Sequence, residues 1–321
     1  MEKIMIRDGA FRAEILPYGA TLHALYVPDG FGGVRDVVLG YDSVEEYRRH
    51  DGYLGATVGR NANRIAGAEF VLGGEVWHLS ANEGANQLHS GFSGLHQKVW
   101  SYEQTAENAV TLRTVSPHGE DGFPGTLQVG VTYTLSEGAL SIEYAAVCDR
   151  DTVVNLTNHA YFNLAGHEGG AVEDHVLTVH ADSCTPCGAG TIPTGEVRAV
   201  DGTALDLRGG VTLGERLGAA ELAEYHGYDH NFVLRGTDAA RLYCPRSGIA
   251  MTVETTLPGL QVYTAGFLTE RQGKGGAAYG RHHGVCLETQ FWPDAMHHHN
   301  LPSSVLRAGE VYRHKTVYRF G

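Results

Sequence analysis

Val131, Tyr133 and Leu135 alternate with polar residues, Ser136-Glu137-Gly138 supplies a turn, and Leu140, Ile142, Tyr144 and Ala146 resume the alternation. Period-two spacing gives each strand one apolar face, and the glycine-containing turn joins the two as a β-hairpin. Similar short runs recur over 11–16, 21–27, 34–39, 70–79, 110–115, 251–253, 260–264 and 311–320. Helical spacing is scarce. Ser43-Val44-Glu45-Glu46 reads as a capping box that opens one short helix. Residues 213–225 have some helical spacing, weakened by Gly214 and Gly218. No Pro- or Ser-rich linker divides the chain and no repeat of fixed period is present. The expectation is an all-β chain: a single domain over residues 1–321, folded as a large antiparallel β-sandwich with few short helices.

Three segments carry polar side chains on the face opposite an apolar one. In 153–162, period-two counting as one strand puts Val153, Asn155, Thr157, His159 and Tyr161 on one face, and Val154, Leu156, Asn158, Ala160 and Phe162 on the other. In 285–292, Val285, Leu287, Thr289 and Phe291 share one face, and Cys286, Glu288, Gln290 and Trp292 the other. In 260–263, Gln261 and Tyr263 share a face. A mid-strand glutamate is costly to bury unless it is paired, hydrogen-bonded or protonated, and histidine exchanges a proton near neutral pH. If the three polar faces align, they form a cleft of amide, carboxylate and imidazole groups beside rings such as Trp292, Tyr161 or Phe123. Such a surface suits a sugar, whose hydroxyls pair with planar donors and acceptors while its C–H faces pack on rings. Three loops add candidates: 59–65 with Arg60, Asn63 and Arg64, 86–91 with His89, and 227–232 with Asp229.

Composition narrows the function class. Hydrophobic residues make up 42% of 321, enough for a sizeable core, and 43 glycines against 10 prolines suit many tight turns. A net charge of -13 disfavours nucleic acid and anionic membranes as partners. No apolar run reaches the length of a membrane span, and Met1-Glu2-Lys3-Ile4 lacks a secretory leader. The five cysteines are an odd count, which fits reduced thiols and a cytoplasmic setting. Cys184-Thr185-Pro186-Cys187 is followed by loop residues and has no second C-x-x-C, so it reads as two unlinked loop thiols. His297-His298-His299 lies on a loop with no carboxylate or cysteine partner identifiable, and no metal site is expected there. Gly273-Lys274-Gly275-Gly276 lacks the P-loop pattern.

Several segments then cohere as an ordered set. They include Val38-Leu39-Gly40-Tyr41-Asp42-Ser43, Gly59-Arg60 through Asn63-Arg64-Ile65-Ala66-Gly67, Asn86-Gln87-Leu88-His89 and Asp121-Gly122-Phe123-Pro124-Gly125. Thr157-Asn158-His159-Ala160-Tyr161-Phe162-Asn163-Leu164, Gly227-Tyr228-Asp229-His230, Pro258-Gly259-Leu260-Gln261 and Leu287-Glu288-Thr289-Gln290 follow. In order and spacing, the set resembles the aldose 1-epimerase (galactose mutarotase) family from about residue 10 to the C-terminus. The resemblance implies a galactose mutarotase-like supersandwich with an open sugar cleft, interconverting α and β anomers of free aldoses without cofactor or metal. Carried over by motif, His159 matches the general acid and Glu288 the general base. His89 matches a second active-site histidine near the ring oxygen. Arg64, with Asn63 beside it, Asp229 and Gln261 match substrate-binding positions. Three departures stand out: Ala160 where the family often has Ser or Thr, Thr264-Ala265-Gly266-Phe267 in place of a commoner T-G-N segment, and His298-His299 where proline is usual.

Mutarotation moves two protons, one off the anomeric hydroxyl and one onto the ring oxygen. For this to work at neutral pH, His159 must be largely protonated while Glu288 is ionised, and the sequence leaves the pKa of His159 open. A non-catalytic sugar-binding module would need the amides and rings but no acid–base pair. An epimerase of hexose 6-phosphates would need more cationic groups than Arg64. A monomer or weak homodimer is expected.

Overall fold

The computed structural model describes residues 2–321. Its largest sheet has nine strands in the order Ser101–Ala106, Ala109–Ser116, Leu127–Ser136, Ala139–Cys148, Val311–Phe320, Ala250–Thr255, Asp238–Tyr243, Val176–Val179, Val211–Thr212. A second sheet has six, in the order Tyr161–Phe162, Val285–Gln290, Gly259–Tyr263, Asp229–Leu234, Ala181–Thr185, Arg198–Ala199. A four-stranded meander of Ile4–Asp8, Phe11–Leu16, Thr21–Pro28 and Val34–Asp36 lies beside them. The strands of all three sheets pair antiparallel.

Alternation explains why these sheets stack. Val131, Tyr133, Leu135, Ile142 and Tyr144 of the large sheet share one continuous core with Phe232, Leu260, Val262, Val285 and Leu287 of the six-stranded sheet. The layers are therefore a sandwich closed by apolar residues at every second position. The hairpin expected around Ser136-Glu137-Gly138 is present, pairing Leu135 with Leu140 and Ser136 with Ala139. The Ser43 capping box is also formed and opens the helix Val44–Arg49. The 213–225 segment splits into Leu213–Arg216 and a 3-10 turn, Ala220–Tyr225.

One strand expectation is corrected. Residues 152–162 are not a single strand but three two-residue strands, Thr152–Val153, Thr157–Asn158 and Tyr161–Phe162, each in a different sheet. The chain is crossing between sheets here, so its polar side chains go to different partners. Asn155 accepts from the Phe291 amide at 2.8 Å and donates to the Phe291 carbonyl at 3.2 Å. Asn158 donates to the Gly55 carbonyl at 2.8 Å and to the Tyr133 hydroxyl at 3.2 Å. Both are braces. The apolar set still holds its side: Val154, Leu156, Ala160 and Phe162 all enter the main core.

Arg60 ties this crossing to the rest of the fold. It is 1% exposed, and its guanidinium donates to the carbonyls of Ser116 (2.7 Å), Pro117 (2.9 Å), Pro124 (2.7 Å) and Gly125 (2.9 Å) and to the Ser116 hydroxyl (3.0 Å). Backbone oxygens solvate a charge that water does not reach, and among the described residues no acidic side chain pairs directly with it. Replacing Arg60 by Met leaves several buried carbonyls without donors, a loss of about 3–5 kcal/mol by analogy with broken buried charge networks. Urea unfolding of Arg60→Met measures this, and a loss below about 1 kcal/mol would remove Arg60 from the role of anchor.

Candidate active site

Strand register builds the floor of the site. Asn231, Gln261 and Glu288 are cross-strand neighbours in one row of the six-stranded sheet. Asp229, Tyr263, Cys286 and Tyr161 form the next row. Partners in an antiparallel ladder share a face, and rows two residues apart share it too. The polar face is thus continuous across four strands, with the core on its reverse.

His159 reaches this floor from the crossing segment. Its amide donates to the Ala56 carbonyl and its own carbonyl accepts from the Gly55 amide, both at 2.9 Å. The imidazole Nε2 lies 3.7 Å from Glu288 Oε2, and Nδ1 lies 3.4 Å from Cys286 Sγ. The rings of Tyr161 and Tyr53 run nearly parallel to the imidazole, with centroids at 5.0 and 5.8 Å.

The facing wall comes from two loops. Arg64 donates through Nε and Nη2 to Glu83 at 2.6 and 2.8 Å, a bidentate pair. The Asn63 amide donates to His89 Nδ1 at 3.1 Å, and Asn63 Oδ1 accepts from the Arg64 amide at 2.9 Å. Asn82 grips Leu88, accepting from its amide at 2.8 Å and donating to its carbonyl at 2.9 Å. Asn63 and His89 hold left-handed backbones, at φ 63° and 50°, which turn both loops sharply into the cleft. On the floor, Gln261 donates to Asp229 at 2.6 Å. The cleft measures about 360 Å³, within the range of small-molecule sites.

Burial governs the protonation states. It lowers His89 well below the ordinary histidine value, helped by His159, Arg64 and His96. Because Nδ1 of His89 accepts the Asn63 N–H, the single ring proton sits on Nε2. Burial likewise lowers His159 to about 4, against a smaller upward pull from its own backbone and with a further lowering by His96. It pushes Glu288 well above the usual carboxylate value, reinforced by Asp229 and opposed by Arg64. Burial raises Asp229 too, opposed by Arg64 and Gln261. In the empty cleft, burial therefore works against the protonated His159 and ionised Glu288 that the reaction requires. The low-dielectric floor favours a neutral imidazole and a protonated carboxyl. That neutral pair contains the same number of protons as the ion pair.

The seven residues carried over by motif, Asn63, Arg64, His89, His159, Asp229, Gln261 and Glu288, line this one cleft, whereas Arg60 is buried on backbone carbonyls elsewhere. Trp292 and Phe123 do not. Trp292 donates to the Pro258 carbonyl at 2.9 Å, and Phe123 packs in a separate cluster with Ile65, Phe70 and Val153. The aromatic walls are Tyr53, Tyr161, Tyr263 and Phe267 instead, joined by Asp51, Asn82 and Glu83. Tyr263 was legible from its parity with Gln261. Tyr53 and Glu83 sit on irregular loops and had no periodic signal.

Metal-ligating groups are present in the cleft, since His89, His159 and Glu288 each bring a ligand atom within 4.8 Å of the others. The chemistry of the set fits an ion poorly: His89 already uses its Nδ1 lone pair and carries its proton on the nitrogen that remains. In a second cluster, His175 likewise uses both ring nitrogens, facing Asp174 at 3.0 Å and accepting from the Leu164 amide at 3.1 Å. The histidine run does have a carboxylate partner, contrary to expectation. Buried Asp294 contacts His297 at 2.7 Å and His298 at 3.6 Å, and also accepts from the Ala66 amide at 2.9 Å, as a loop brace. Cys184 and Cys187 are free thiols, but Cys184 lies in the strand Ala181–Thr185 rather than in a loop.

The fold and cleft define a class: an antiparallel β-sandwich holding a buried imidazole–carboxylate pair in an open pocket lined with hydrogen-bonding groups. The sequence profile of aldose 1-epimerases matches residues 2–319, and the chain belongs to the aldose 1-epimerase family. Galactose mutarotases of Bos taurus and Homo sapiens are each 44% identical, over 100% of this chain and 94% of theirs. The aldose 1-epimerase of Haemophilus influenzae is 36% identical over 98% of this chain and 93% of its own. The crystal structure of an aldose epimerase homologue from C. elegans superposes with a TM-score of 0.94 at 33% identity, covering 100% of this chain and 98% of that one.

The buried neutral histidines have a measurable consequence. His23, His89, His96, His159, His175 and His230 all have folded values below the ordinary 6.5. The unfolded chain protonates these groups first as pH falls, so it binds more protons than the folded chain and stability declines. Glu288 and Asp229 act in the opposite direction but are fewer. Unfolding free energy, measured by denaturant titration, should fall steadily from about pH 6.5 to about pH 4. A flat profile across that window would mean that these histidines are charged in the folded state.

Proposed function

We propose that this protein interconverts the α and β anomers of free aldoses, galactose and glucose among them, by acid–base ring opening and reclosure. The observation that carries the reading is the 3.7 Å approach of His159 Nε2 to Glu288 Oε2 on the floor of a polar cleft. Glu288 Oε2 is buried without a hydrogen-bond partner in the protein. A sugar hydroxyl arriving there satisfies it, lowers the cost of the carboxylate, and moves the shared proton to His159.

Glu288 then takes the proton of the anomeric hydroxyl, His159 gives its Nε2 proton to the ring oxygen, and the C1–O5 bond breaks. The aldehyde rotates about C1–C2. Closure returns each proton by the reverse path, so the pair ends as it began. His89, with its proton on Nε2, is a neutral donor for a sugar oxygen. Arg64, Asn63, Asp229 and Gln261 hold hydroxyls so that the reacting atoms stay close.

A free sugar fits better than a sugar phosphate. Arg64, the arginine of the cleft, is already committed to Glu83, while Asp51, Asp229 and Glu288 add acidic groups around it. A phosphate dianion would meet the carboxylates of Asp51 and Glu83 and, once the shared proton has moved to His159, that of Glu288. An acid–base pair placed at this cost in burial also favours an enzyme over a binding module. The core shared by the two large sheets supports a single domain over the chain, and the free thiols support a cytoplasmic setting.

Two measurements test this. Glu288→Gln should lower the rate of α-galactose mutarotation, followed by polarimetry above the uncatalysed rate, by about 10²–10⁴-fold while sugar binding persists. An undiminished rate would overturn the base assignment. The kcat/KM profile should be level through neutrality and fall on the acid side near pH 4, where His159 takes up a second proton for the pair. A fall centred near 6.5 would show that His159 titrates as an ordinary histidine.

A further inference from the structure

Cys286 sits in the row between Tyr263 and Tyr161, on the cleft face of its strand. Its side chain is fully buried, and its sulfur lies 3.4 Å from His159 Nδ1. The thiol is held away from ionisation, first by burial and then by Glu288 and Asp229. It is therefore a neutral group facing the nitrogen of His159 that does not face Glu288.

We propose that Cys286 is a positioning residue for the reaction: its sulfur accepts the Nδ1–H of His159, fixing the ring's orientation and tautomer so that protons come and go only at Nε2. The inference rests on the reading of His159 as the acid. Imidazoles are commonly oriented by a partner on the second nitrogen, and that partner decides which nitrogen carries the exchangeable proton. With Nδ1–H retained in both charge states, the neutral ring presents a bare Nε2 to Glu288. It takes the proton there to become imidazolium and returns it to the sugar. A sulfur is a weak acceptor, so it orients the ring without the strong pull toward imidazolium that a carboxylate would exert. The other titratable groups facing His159 are Glu288, His89, His96, Tyr53, Tyr161 and Tyr263. None of them contacts Nδ1.

The test pairs Cys286→Ala with Cys286→Ser, since a hydroxyl can accept where a methyl cannot. Nitrogen-15 spectra of the histidine rings should show a single Nδ1–H tautomer for His159 in the unmodified protein. In Cys286→Ala they should show a mixture, with kcat lower by about tenfold, KM within about twofold, and the acid limb of kcat displaced downward. Cys286→Ser should restore the tautomer and most of kcat. If both variants keep the original tautomer and pH profile, or if the unmodified ring carries its proton on Nε2, the proposal is wrong. His159→Asn separates the two readings. Full activity in that variant would overturn the role of His159 itself, whereas the tautomer of the intact ring reports on Cys286 whatever His159 does in catalysis.

Discussion

A carboxyl group on the sheet floor and an imidazole that reaches it from the crossing segment, both buried, are the constraint around which the cleft is organised. Neither group is cheap to bury as an ion, and each makes the other tolerable by sharing one proton. Burial raises Glu288 and lowers His159, so in the empty cleft it favours the proton on the carboxyl. The charged arrangement differs only by a proton transfer between neighbours. A substrate that brings hydroxyls to an unpartnered Glu288 oxygen can tip the balance without any change in net proton count. On the proposed reading, this floor takes a proton at one oxygen and supplies one at another.

The scaffold keeps that pair in place through strand register rather than through direct bonds. Glu288, Gln261 and Asn231 follow one another along one row, and Tyr161, Cys286, Tyr263 and Asp229 fill the adjacent row. A slip of one residue would turn this face into the core and expose Leu260, Val262, Val285 and Leu287. The hydrophobic pattern therefore enforces the site geometry. His159 depends on a second device, the crossing segment pinned to residues 55–56 and braced by Asn155, Asn158 and Arg60.

Much of this was legible in the chain itself. Long alternating strands such as 127–136 and 139–148 announced the sandwich, because a period of two over ten residues has no helical alternative. Parity put Gln261 and Glu288 each on the polar face of its own strand, the observed register aligned the two, and ordered motifs brought in the loop residues. The limits were equally physical. Parity assumes one continuous strand, and it failed between Asn155 and Tyr161, where the chain changes sheets. Tyr53, Asn82 and Glu83 reach the cleft from loops whose positions depend on tertiary contacts. The inverted protonation preference of His159 and Glu288 depends on burial depth, which no local pattern encodes.

The central claim is that His159 and Glu288 hold one proton between them, resting on the carboxyl until sugar arrives. Infrared difference spectroscopy of the Glu288 carboxyl at neutral pH tests it most directly, with Glu288→Gln identifying the band. The account predicts a protonated carboxyl in the empty protein that converts to carboxylate when galactose saturates the cleft. An ionised Glu288 in the empty protein, unchanged by sugar, would contradict it.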